Sequence, residues 1–155
     1  MSPDDSRQPV PGPGDAESTD EATVDRALGI ALDELIDAIQ ETKQAVWLTL
    51  DTNQHRALEA LRLFLIEQVT EVGAAEARID GRSPFLVTPT GRPQRNLAAE
   101  VHGDQSAMLE RLLADLERLA ADVRRQAGLI AGREEAQLLT RLADGLEERL
   151  TALRP

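Results

Sequence analysis

The chain has 155 residues, a formal net charge of −11 and no cysteine, and its aromatic side chains are Trp47, Phe64 and Phe85 alone. That acidity repels phosphate backbones and argues against DNA or RNA as a partner, because a nucleic-acid reader needs a basic face. The lack of cysteine excludes a disulfide framework, a thiolate nucleophile and a zinc–sulfur site, and no apolar run approaches the roughly 18 residues of a membrane span.

Residues 1–18 hold Pro3, Pro9, Pro11 and Pro13 with Gly12 and Gly14 among acids and serines. Such a segment buries too little apolar surface to offset its ordering entropy, so a disordered acidic tail is expected. It has no basic stretch followed by an apolar one, so it does not read as a secretory signal, and a cytoplasmic location is expected.

No proline occurs between Thr19 and Ile79. Ser18 or Thr19 is a candidate N-cap, and Leu28, Leu32, Leu35, Ile39, Val46 and Leu50 recur at steps of three, four or seven, the apolar face of a helix over about 20–50. Asp51 or Thr52 can cap a second helix over about 53–79, with Leu58, Leu61, Leu65, Val69 and Val72 on its stripe. Two helices are expected here, since one of about 60 residues would run about 90 Å. A third run, over about 104–127, starts from Asp104 or Ser106 and carries Leu109, Leu112, Leu116, Leu119 and Val123. Gly128 and Gly132 supply a stop and a short connection, and Leu139, Leu142, Leu146, Leu150 and Leu153 mark a fourth helix over about 133–153. Gly145 marks either a close helix–helix approach or a tolerated surface glycine.

Residues 80–103 separate the second and third helices. This stretch contains "DGRSPFLVTPTGRPQRN", with three of the eight prolines and with Arg82, Arg92 and Arg95. Its 24 residues could reach nearly 80 Å when extended, at about 3.3 Å each, whereas a 26-residue helix is about 39 Å long. The insert can therefore cross a bundle from end to end and set helix three parallel to helix two. The fold expected is all-α, a four-helix bundle with one long central crossover loop and a disordered N-terminal tail. A hairpin of two long helices that dimerises is the competing picture.

In helix order and crossover position the chain resembles the ferritin-like superfamily over residues 20–153. The resemblance implies a carboxylate-rich site for iron or manganese. The family's ligand pattern, Glu-x-x-His on two of the helices, is absent, so no ligand carries over residue by residue. His55 and Glu59, four apart on one helical face, are the candidate metal ligands; Glu34, Glu41, Glu67, Glu71, Glu110 and Glu117 are the acids that could line a site. Each set also reads as a solvated acidic surface.

Catalysis finds little support in the sequence. The five serines lie in the tail, the insert or at a cap, and no Gly-x-Ser-x-Gly elbow or phosphate-binding Gly-Lys-Ser/Thr is present. Trp47 is expected to anchor the core or a dimer contact. Arg82, Arg92 and Arg95, with the apolar triplet Phe85, Leu86 and Val87, either receive a partner or fold back onto the bundle's own acids. The function expected is non-enzymatic: a helical bundle that binds a protein partner or itself, with a homodimer the simplest assembly. Its motive is the Leu-rich seams of the last two helices. A ferritin-like metal- or oxygen-handling protein is the alternative.

Overall fold

A computed structural model describes residues 20–81 and 104–154, which form four α-helices. Helix α1 spans Glu21–Leu48 and is capped by Asp20, whose carboxylate accepts from the Ala22 N–H at 3.2 Å. The cap is thus one residue beyond Thr19 and two beyond Ser18. After Leu48, Thr49 turns extended, and Asp51 caps α2, Thr52–Asp80, by accepting from the Gln54 N–H at 2.8 Å. Gly81 closes α2 at φ 69°, a left-handed value that glycine adopts without penalty, and its N–H reaches the Ala77 carbonyl.

Asp104 caps α3, Gln105–Leu129, by accepting from the Ala107 N–H. The sequence placed the stop at Gly128, but Gly128 lies inside the last turn. The connection is made by Ile130, which is fully buried, and by Gly132 at φ 90°. Helix α4, Glu134–Leu153, has no side-chain cap, and Glu134 and Glu135 in its first turn face the positive end of its dipole.

Helix α1 packs on α2 and on α3, and α4 packs on α3 and on α2. Gln105, at the start of α3, donates from Nε2 to the Leu48 carbonyl at the end of α1 at 2.6 Å, so these two helices run antiparallel. Because α2 also returns antiparallel to α1, α2 and α3 run parallel. Gly81 and Asp104 therefore stand at opposite ends of the bundle, and residues 82–103 must link them.

The core is aliphatic, as three aromatics in the whole chain require. Leu28 and Leu35 of α1 meet Leu58, Leu61 and Leu65 of α2, with Met108, Leu112 and Leu116 of α3 and Leu139, Leu142 and Leu146 of α4. Gly145 is a point of close approach: a Cβ there would lie 2.8 Å from Phe64 Cζ across the α2–α4 contact. Arg149 sits over a face of that ring, 3.9 Å from its centroid.

Two expectations change on this evidence. The seams of α3 and α4 face inward and are buried within one chain, so they do not supply a surface for self-association. The helix ends at Leu48 and Asp51 likewise replace the picture of two long helices that dimerise.

Candidate functional site

Where α1 gives way to α2, the chain leaves two large apolar side chains in water. Trp47 is 78% exposed and Leu50 is 85% exposed. Trp47 follows the buried pair Ala45–Val46, one position off the inward face, so its indole points outward. It therefore does not anchor the core. Lys43, one turn earlier, places its ammonium 5.6 Å from the indole centroid.

Leu50 belongs to no helix, although its spacing from Val46 continues the buried stripe. Thr49 departs at φ −88°, ψ 122° while its hydroxyl donates back to the Ala45 carbonyl at 2.7 Å. Leu50 then precedes the cap of α2. An apolar residue at that position commonly packs against the fourth residue of the new helix, but here that residue is His55, so no hydrophobic staple forms. The sequence signal was present: an Asp that caps α2 forces α1 to end before Leu50. The first residue of α3 is tied to the same corner through the Gln105–Leu48 hydrogen bond.

His55 is exposed in the first turn of α2, and Glu59 is half-buried with its carboxylate 3.3 Å from Arg62 Nε. Among the described residues no third ligand joins them, and no group of three or more His, Asp or Glu converges to hold a metal. Among the described residues, then, no ligand set fits a ferritin-like metal pair. Glu67, Glu71, Glu110 and Glu117 are surface residues, and Glu117 pairs with Arg154. Glu34 and Glu41 line a shallow acidic cleft of about 200 Å³ between α1 and α3, with Asp37, Asp115 and Asp122. Arg111 and Arg118 both pair with Asp115 beside it. Arg82, Phe85, Leu86, Val87, Arg92 and Arg95 lie outside the described residues.

A larger open cleft of about 690 Å³ lies at the α3–α4 turn, edged by Arg124, Arg133 and Arg141. Its positive charge is largely neutralised. Arg124 donates from Nε and Nη2 to the Glu147 carboxylate at 3.0 and 2.7 Å, and from Nη2 to Asp144 at 2.6 Å. These bonds raise the Arg124 pKa further above its ordinary value, and the Glu147 carboxyl is held below its own by the hydrogen bond from Arg124. Arg133 leans towards Glu135 at 3.5 Å.

The chain matches no protein-family model, no curated protein and no solved structure.

Proposed function

We propose that this protein is a non-enzymatic helical bundle that works by binding another protein chain, a partner or a second copy, at the α1–α2 corner. The observation that carries the reading is the exposure of Trp47 and Leu50, three residues apart at this corner and more exposed than Leu129, Leu63, Ile66 and Ile30, the other exposed large hydrophobics among the described residues. Tryptophan gives the largest apolar contact area of any side chain, and such anchors dominate association energetics. Lys43 adds a positive group at the edge of an otherwise acidic molecule, which favours an acidic rim on the bound surface.

Light scattering coupled to size exclusion tests self-association, and affinity capture tests a partner. Trp47→Ala should abolish whichever complex forms while changing unfolding stability by no more than about 0.5 kcal/mol, as for a surface substitution. The indole, the single tryptophan of the chain, should emit as a water-exposed fluorophore in the free protein and shift to the blue on binding. A strict monomer that captures nothing, or a complex indifferent to Trp47→Ala, overturns the reading.

A further inference from the structure

The corner that carries Trp47 and the turn between α3 and α4 stand at opposite ends of the bundle. Gln105, bonded to Leu48, begins α3, which then runs 25 residues, about 37 Å, to Leu129. At that far end lies the open cleft of about 690 Å³, within the usual size of ligand pockets, roughly 300–1,000 Å³. Small residues line it, Ala127, Gly128 and Ala131 with Gly132 and Ala136. A Cβ at Gly128 would meet nothing within 4 Å, so the floor is open down to the backbone of α3. Leu129, 60% exposed, adds apolar surface at the same end. The cleft between α1 and α3 is the poorer receiver for an indole, since it holds only about 200 Å³ and is lined by carboxylates.

Charge also fits the turn to the corner. Glu134 and Arg141 line the cleft, are exposed, and form no ion pair with another described residue, whereas Arg124 is held by Glu147 and Asp144. They stand seven positions apart on one face of α4, about 10 Å. The corner carries the opposite set: the Lys43 ammonium beside the indole, and the exposed Asp51 just after Leu50. Helix α1 has no basic residue in its last turn, so the negative end of its dipole adds to Asp51 there. Lys43 thus matches Glu134, and Asp51 matches Arg141, whose guanidinium also suits the face of an indole.

We propose, building on the reading of Trp47 and Leu50 as a binding site, that the chain they engage is a second copy, whose α3–α4 cleft receives both side chains. Trp47 cannot reach the cleft of its own chain at the other end of the bundle, so the contact forms only between copies. Each added copy leaves one corner and one cleft unused, so the contact does not close on a dimer and the assembly grows head to tail.

The test uses full-length chains and the fact that Trp47 is the only tryptophan. Trp47→Ala keeps the cleft and has no indole. Gly128→Leu keeps the corner and fills the cleft, at a helical position where leucine is favoured over glycine. In light scattering, the average mass of the wild type should climb with concentration beyond that of a dimer, while each variant alone stays monomeric. Mixed, the two variants should form a one-to-one heterodimer and nothing larger. The emission of Gly128→Leu should shift to the blue when Trp47→Ala is added, and should not move when the added chain carries both substitutions. Arg141→Glu, at an exposed site, should behave as Gly128→Leu does. Lys43→Glu in the copy that supplies the corner should weaken the heterodimer at least about tenfold, and Glu134→Lys in the receiving copy should restore it. A monomeric wild type, a wild type that stops at a discrete dimer, or the lack of a heterodimer on mixing overturns the proposal. A complex that needs Trp47 but ignores Gly128→Leu overturns the role of the cleft and leaves the corner as a binding site. One that ignores Trp47→Ala overturns both.

Discussion

Gly145 shows how one missing Cβ fixes a helix–helix distance. Phe64 is buried, Arg149 covers one face of its ring, and the space where a side chain at 145 would stand is filled by the ring edge. Gly145→Ala gains up to about 1 kcal/mol of helix propensity but forces an overpacked contact that typically costs about 1–3 kcal/mol. Because the ring is buried and covered on one face by Arg149, the contact should win. A net loss of about 1–2 kcal/mol is expected in urea unfolding. A second substitution, Phe64→Leu, should make Ala at 145 tolerable; a stabilised single variant would show that the ring moves aside freely. The sequence left this glycine open between a close approach and an idle surface position. Its partner Phe64 lies 81 positions away, and spacing within α4 carries no information about it.

At the scale of the element, helix starts were legible because capping is local chemistry. Asp51 and Asp104 were readable as caps since a carboxylate before an apolar-periodic run satisfies otherwise orphaned N–H groups. Helix ends were harder. Leu50 kept the period of α1 yet lies outside it, and Gly128 looked like a stop yet sits in the last turn of α3. Ends depend on what the chain does next, which periodicity does not record. Between α3 and α4, the Arg124 clamp on Glu147 and Asp144 predicts a pH dependence. The folded Glu147 carboxyl is depressed, so its contribution is present above the ordinary carboxylate range and is lost as pH falls through the folded value. Wild type and Glu147→Gln should therefore differ at neutral pH and converge in acid when urea midpoints are followed across a pH series. The pair is on the surface, so the difference should be small and shrink in high salt. A gap that persists at low pH would assign the effect to packing.

For the whole molecule, the all-α class and the four-helix arrangement follow from the stripes, since each amphipathic face must be buried against another. What the stripes could not decide is whether burial happens within one chain or between two, because the same leucines satisfy both. The structure assigns them to one chain, and that moved the candidate site from the seams to Trp47 and Leu50. Two helical hairpins, α1–α2 and α3–α4, meet across the α1–α3 and α2–α4 contacts. Fragments 1–81 and 104–155 should each show weak helicity alone, because each leaves its inner face bare. Mixed, they should recover most of the ellipticity of the intact chain in circular dichroism. No gain on mixing would mean that the covalent link, and not the shared core, holds the hairpins together.

The parallel course of α2 and α3 also bears on the order in which the molecule assembles. Each hairpin closes through a turn of only a few residues, so its contacts are near in sequence and form quickly. The α1–α3 contacts join positions such as Leu48 and Gln105, 57 residues apart, and wait on a much larger loop. Loop-closure entropy grows only logarithmically, about 0.6 kcal/mol per doubling of length. Shortening the link should therefore speed assembly very little until it becomes too short to reach from one end of the bundle to the other. At that length the parallel arrangement fails outright, and the hairpins would have to meet head to head.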